Sequence, residues 1–281
     1  MTYFDIHAHL NFSAYDNDRD AVIARTKKDG VYVINVGTQY EMSQKAVELA
    51  KNHNNMWAIV GLHPVHTCSS FHDSKELGEG GKEFTSRGEV FDYDAYKTLA
   101  VLDRVVGIGE CGLDYYHAET ENFEKQKEVF RSQLELARDV KKPVMLHVRT
   151  HDGDSDGAYR DVLSILREFP DVKGNVHFFA GTLDTARQFL DRGFTLSFTG
   201  VITFTHQYDE LVSYVPLDRI VSETDSPFVA PLSYRGKRNE PSYVSFVVEA
   251  IARIKKCTSQ NVQENIARTV KSVWNIGSDN S

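Results

Sequence analysis

Cysteine is scarce: Cys68, Cys111 and Cys257 are the only three among 281 residues. They are too few and too scattered for a disulfide framework, and no CxxC pair occurs, so a reducing, cytoplasmic setting is expected. Nowhere do apolar residues run to the roughly 20 needed to cross a bilayer, which excludes membrane-spanning roles. The first strand-like run, Thr2 to Leu10, contains Asp5, His7 and His9 and has neither the basic nor the apolar region of a secretory leader. Positive charge is also short. Lys and Arg number 32 against 40 Asp and Glu, a formal net charge of −8. That balance argues against a surface gripping duplex nucleic acid over many phosphates, but leaves open a local anionic-substrate site neutralised by metal.

What is present is an ordinary globular composition, 41% hydrophobic and 26% charged, with enough chain to bury a core unaided. Eight short apolar or β-branched runs recur, each followed by a polar, helix-permissive stretch: Tyr3–Leu10, Val31–Gly37, Met56–His63, Val105–Glu110, Pro143–Val148, Gly174–Phe179, Phe194–Phe198 and Ile220–Glu223. Nearly continuous apolar strands alternating with helices indicate a parallel sheet buried on both faces. Eight units in this length predict an α/β fold, a (β/α)8 TIM barrel, as a single domain over 1–281. The helices between include Asp18 to Asp29, Glu41 to His53, Glu121 to Val140 and Ser242 to Lys256, with Gln260 to Trp274 closing the chain. One connection, about 68–91, is far longer than usual. It follows the third strand, on the active-site face of such barrels, and reads either as a flexible excursion or as a substrate-contacting lid.

Chemistry collects at the strand ends. His7-Ala8-His9 ends the first strand, and a period of two puts both imidazoles on one side, a geometry that suits two ligands of one metal. HxH alone is a weak motif. Glu110 closes the fourth strand, His147 the fifth, His177 the sixth and Asp225 the eighth, so six ligand-type side chains converge on one mouth. Burying such groups unpartnered is costly, and a cation removes the cost. A carboxylate can bridge two divalent ions, so Glu110 implies a binuclear centre, one ion toward His7 and His9 and the other toward His147 and His177. Mixed His and carboxylate ligands leave Mg, Mn and Zn all possible.

Taken in order, HAHL, GLHP, GECGLDYY, LHVR, the HFFAG segment and ETDSP followed by RGKRNEP closely resemble the TatD-type metal-dependent deoxyribonucleases of the amidohydrolase superfamily. The resemblance covers nearly the whole chain. It implies His7, His9, Glu110, His147, His177 and Asp225 as metal ligands. It also implies divalent-metal-dependent nuclease action, chiefly 3′ to 5′ exonuclease on single-stranded ends. Two departures stand out: the family's HCFSG reads His177-Phe178-Phe179-Ala180-Gly181, and the segment after His66 is unusually long. Similar proteins include a deacylase acting on mischarged tRNA.

Roles follow from position. Asp225 is the natural general base for a water activated by metal, or else a ligand only. Glu223, two residues earlier, either orients a ligand from one layer deeper or is a buried ion-pair partner. His63 and His66 in GLHPVH are placed at the mouth outside the six, for phosphate contact or as loop-fixing groups. Arg149 faces the mouth as a phosphate clamp or pairs with a nearby acid. Arg235, Lys237 and Arg238 form the densest basic cluster near the mouth, and Arg235 is taken as a substrate contact. Tyr115, Tyr116, Phe178, Phe179 and Tyr234 also come from mouth segments, where one or two could stack a base. His117 is assigned to the surface. The expected protein is a monomer with two divalent ions, acting on single-stranded nucleic acid ends without membrane or obligate protein partners. The rivals are another hydrolase on the same scaffold, for an ester, lactone or aminoacyl-tRNA bond, and a non-catalytic metal-binding barrel. Related ester-cleaving barrels often bridge their metals with a modified lysine, whereas Glu110 occupies the fourth strand here.

Overall fold

A computed structural model describes residues 2–68, 70–72, 84–86, 88–151, 153–154 and 156–277. Eight parallel strands form one sheet: β1 (Tyr3–Ala8), β2 (Val31–Val36), β3 (Met56–Val60), β6 (Val105–Asp114), β7 (Val144–Arg149), β8 (Gly174–Val176), β9 (Thr195–Phe198) and β10 (Ile220–Ser222), neighbours in that order. The remaining pair, β4 (Ser70–His72) and β5 (Phe84–Ser86), makes a small antiparallel hairpin inside the long connection after β3. Most of 68–91 lies outside the described residues, and with it the lid reading. The far end of that segment is tied down where the Glu89 N–H donates to His66 O at 2.7 Å and the Glu89 carboxylate accepts from Tyr40 N at 3.2 Å and Tyr96 OH at 2.6 Å.

The sheet closes on itself just past its last strand. Ala8 bridges to Ser226, His9 N donates to Ser226 O at 2.8 Å, and Asp225 N donates to His7 O at 2.9 Å. Closure removes the exposed edges that an open sheet would present. It also brings residues about 220 positions apart into register at the mouth.

Between the strands run α1 (Arg19–Lys28), α2 (Tyr40–Asn52), α3 (Tyr93–Ala100), α4 (Phe123–Val140), α5 (Gly157–Leu166), α6 (Leu183–Asp191), α7 (Asp209–Tyr214), α8 (Val244–Lys255) and α9 (Ser259–Trp274). The strands are apolar on both faces because they face helices outside and packed side chains inside. Of β6 every residue is buried. On α4 the buried positions are Gln126, Phe130, Gln133, Leu134, Leu136 and Ala137, most of them recurring at three and four, as one face of a helix must. Two of them are polar and hold the ends of site strands. Gln126 exchanges two hydrogen bonds with the backbone of Asp114, at 2.8 and 2.9 Å. Gln133 does the same for Leu62, at 2.9 Å each.

Among the described residues no helix is long and apolar enough to cross a membrane. The strand limits differ from the sequence reading at two points that matter. β1 stops at Ala8, before His9, and β6 runs past Glu110 to Asp114 with an irregular register between Ile108 and Cys111. Simple alternation therefore fails across Glu110.

Arg238 is not available as the phosphate contact that its basic cluster promised. Its guanidinium pairs with both Asp18 oxygens at 2.8 and 2.7 Å, donates to Ala14 O at 2.7 Å and covers the Tyr15 ring at 4.5 Å. It fastens the loop after β10 to the start of α1. Arg238→Ala is expected to lower stability by about 1 kcal/mol through lost packing and pairing, with no change in KM, as checked by chemical denaturation and steady-state kinetics.

Candidate metal centre

The six sequence-predicted side chains meet at the mouth. His7 and His9 leave the end of β1 with their Nε2 atoms 3.1 Å apart. Glu110 Oε2 lies 3.3 Å from His7 Nε2 and 3.9 Å from His9 Nε2, and Asp225 Oδ1 lies 3.7 and 3.5 Å from the same two atoms. An ion bound about 2.0–2.2 Å from each of its tetrahedral ligands spaces them about 3.3–3.6 Å apart, close to what is seen here, so His7, His9 and Glu110 could hold one divalent cation, with Asp225 beside the two imidazoles. The His9 tautomer suits the same purpose. Its Nδ1 is 2.9 Å from Val36 O, so that nitrogen carries the hydrogen and Nε2 presents its lone pair inward.

The other oxygen of Glu110 faces a different set. Oε1 lies 2.9 Å from His147 Nδ1, 3.4 Å from His63 Nε2 and 3.6 Å from His177 Nε2. His63 was expected outside the ligand cluster, yet it belongs to this second group and its ring stands 4.2 Å from that of His147. Its Nδ1 accepts from Val65 N at 3.2 Å, so it also fixes the start of its own loop and turns Nε2 toward the centre.

Each outer histidine is held from behind. Glu223, wholly buried, has Oε1 3.0 Å from His177 Nδ1, accepts from Phe178 N at 2.7 Å and from Ser197 Oγ at 2.7 Å. Both Glu223 readings thus describe one contact: a buried acid paired with the imidazole it orients. Asp114 Oδ2 lies 2.9 Å from His147 Nε2. Sequence reasoning passed over Asp114, Gln126 and His117. Asp114 stands four residues after Glu110, and on a regular strand that even spacing would have put both carboxylates on one side.

Burial alone would push Glu110 toward protonation, but His63, His7 and His177 and the hydrogen bond from His147 hold its carboxyl well below the ordinary range. It stays ionised. Burial pushes the other way on the imidazoles: it lowers His7, and with His147 nearby it takes His63 down to about 4. Against the same burial, Asp114 and Glu110 raise His147 to about 9. Burial of Asp225 is likewise outweighed by His9, His177 and His7, so its carboxyl lies below the usual value.

The backbone approaches are tight. A Cβ on Gly112 would stand 2.1 Å from His147 O, and the residue has φ +137°, so only glycine lets β6 lie this close to β7. Asp225 adopts φ +56°, a left-handed conformation that Asp and Asn tolerate better than other side-chain-bearing residues.

The remaining predicted contacts divide. Arg149 is exposed at the mouth, its guanidinium 3.9 Å over the Tyr116 ring. Arg235 lies 4.1 Å over Phe204, on the loops after β10 and β9. The His66 ring stands 6.0 Å from that of His63. Phe179 is core, packed on Tyr159 and Phe189. Tyr115 is buried, stacked on Phe123 with its hydroxyl 2.7 Å from Asp161. Tyr234 stacks on Tyr243 at 3.8 Å.

A family model described as TatD related DNase matches residues 4–275. The uncharacterized metal-dependent hydrolase YabD of Bacillus subtilis (strain 168) is 36% identical over 278 residues, covering 97% of this chain and 99% of its own. The 3′-5′ ssDNA/RNA exonuclease TatD of Musicola paradisiaca (strain Ech703) is 29% identical over 288 residues, with 98% of each covered. In fold, the crystal structure of the TatD homologue YJJV from Escherichia coli K12 matches with a TM-score of 0.78 at 23% identity, over 98% of both chains.

Proposed function

The chain belongs to the TatD-related DNase family and is a metal-dependent hydrolase, and from that premise we propose that it is a nuclease that removes nucleotides 3′ to 5′ from single-stranded DNA ends. One observation carries the reading: the two oxygens of one buried carboxylate, Glu110, face two separate histidine groups. In this reading His7, His9, Glu110 and Asp225 hold one divalent ion, and Glu110, His147 and His177 hold a second, with Mg, Mn or Zn all compatible. Divalent ions there would offset charge on a scissile phosphate and acidify a water in their coordination sphere.

The protein's own groups do the rest. Asp225 is ionised and partly open to the mouth, so a carboxylate oxygen can take the proton of the attacking water while its neighbours hold position. Glu223 and Asp114 keep His177 and His147 aimed at Glu110. His63 stands beside Glu110 to donate to a phosphate oxygen, with His66 behind it, and Arg149 and Arg235 offer guanidinium forks to the flanking strand. A monomeric, cytoplasmic enzyme organised as one domain across residues 1–281 completes the proposal.

The discriminating assay incubates the protein with Mg, Mn or Zn in turn and with end-labelled single-stranded DNA, RNA and an aminoacyl-tRNA. Stepwise loss of nucleotides from the 3′ end of DNA is expected. Consumption of the aminoacyl-tRNA alone would transfer the same machinery to ester hydrolysis. In a second measurement, Arg149→Ala should raise the KM for oligonucleotides about tenfold and leave the melting temperature within about 1 °C. An unchanged KM would remove Arg149 from the substrate site.

A further inference from the structure

Asp114 is wholly buried and used on both oxygens. Oδ1 accepts from the backbone of Tyr116 at 3.0 Å and of His117 at 2.9 Å. Oδ2 lies 2.9 Å from His117 Nδ1 and 2.9 Å from His147 Nε2. The turn after β6 is thus wrapped around the same carboxylate that orients a candidate metal ligand. His117, assigned to the surface from sequence, is only 13% exposed in its side chain. With its Nδ1 hydrogen given to Asp114, its Nε2 lone pair faces Arg149 Nη1 at 3.5 Å. The Arg149 guanidinium is meanwhile stacked 3.9 Å over Tyr116.

Arg149 is not held by an acid among the described residues. Arg19, Arg25, Arg131, Arg160, Arg187 and Arg238 each pair with a carboxylate, whereas among the described residues none pairs with Arg149. It is exposed, held by a ring on one side and an imidazole on the other, and keeps donors for an outside anion. It also stands two residues beyond His147 on β7, about 6.6 Å along the strand. That is comparable to the step between neighbouring phosphates of an extended single strand.

We propose that Arg149, His117 and Tyr116 form a second phosphate subsite, for the phosphodiester next to the one at the candidate metal centre, and that Asp114 ties this subsite to His147. The proposal rests on the nuclease reading above and names the substrate feature it selects: at least two consecutive phosphates. Arg149 is the group that touches substrate, and His117 is a positioning residue.

Binding to metal-free protein tests this without any turnover. Thymidylyl-(3′→5′)-thymidine is titrated alongside its 5′-phosphorylated and 3′-phosphorylated forms, followed by NMR. One added phosphate, at whichever end reaches Arg149, should tighten binding about tenfold. That gain should vanish in Arg149→Gln, fall in His117→Ala and partly return in His117→Gln, whose amide oxygen can still accept from Arg149. Asp114→Asn should in addition weaken metal affinity about 10- to 100-fold, read by chelator competition. No gain in the wild type, or a gain that survives in Arg149→Gln, overturns the subsite. A gain untouched in both His117 variants removes His117, and unaltered metal affinity in Asp114→Asn removes the tie. Absence of the binding gain in the wild type alongside intact DNA trimming would sink this inference alone, whereas absence of trimming with the gain preserved in the wild type would sink the nuclease reading alone.

Discussion

Glu110→Gln is expected to cost turnover about 10³-fold or more and to lower bound metal, measured by elemental analysis after loading and desalting. The side chain keeps its size, so the fold should hold, as circular dichroism would check. What is lost is, among the described residues, the one carboxylate whose two oxygens reach toward both histidine groups, at 3.3 Å to His7 and 2.9 Å to His147. Several kcal/mol of charge stabilisation in the transition state depend on ions being held there, which sets the size of the effect. Metal affinity should also fall in acid. His147 and His177, which Asp114, Glu110 and Glu223 raise against burial to about 9 and 10, must give up protons to bind an ion, so affinity rises as pH climbs toward those values. Full metal content in Glu110→Gln, or turnover within tenfold of the wild type, would dissolve the proposed bridging role.

Asp225→Asn should lower kcat about 10²- to 10⁴-fold at saturating metal, the range expected when a positioned general base is lost. Asparagine is the informative choice because it fits the φ of +56° at this position as readily as aspartate does, while alanine would add backbone strain to the result. Saturating metal separates the two candidate roles of this carboxylate. If only ligation mattered, added metal would restore kcat. If kcat remains low with both sites filled, proton acceptance is what was removed.

The alternation of apolar runs and helix-permissive segments was enough to foresee eight parallel strands, because each run carries its burial in its own composition. The ligand-type residues were equally legible: each sits at or just beyond a strand end in a local motif, from HAHL to ETDSP. Less legible was His63, which reads as a loop residue before Pro64 and joins Glu110 only because β3 and β6 are neighbours in the barrel. His117 looked like a surface histidine for a similar reason. Its role depends on a turn that folds back onto Asp114, and Asp114 lies beyond Glu110, where the fourth apolar run ends in the sequence although β6 continues to Asp114. Arg238 went the other way: a basic residue in a basic loop, captured by Asp18, just before α1 and some 220 positions away.

Sequence alone determined the kind of barrel, its family and the residue types that crowd its mouth, since periodicity and motif spacing are properties of near neighbours in the chain. Tertiary structure decided how that chemistry is shared out. Closure through Ala8 and Ser226 brings Asp225 to the His7–His9 pair, and the carboxylate of Glu110 is split between two sides. The physical reason is that strand closure and register fix distances between residues far apart in the chain, and a one-residue slip in either would aim every side chain elsewhere.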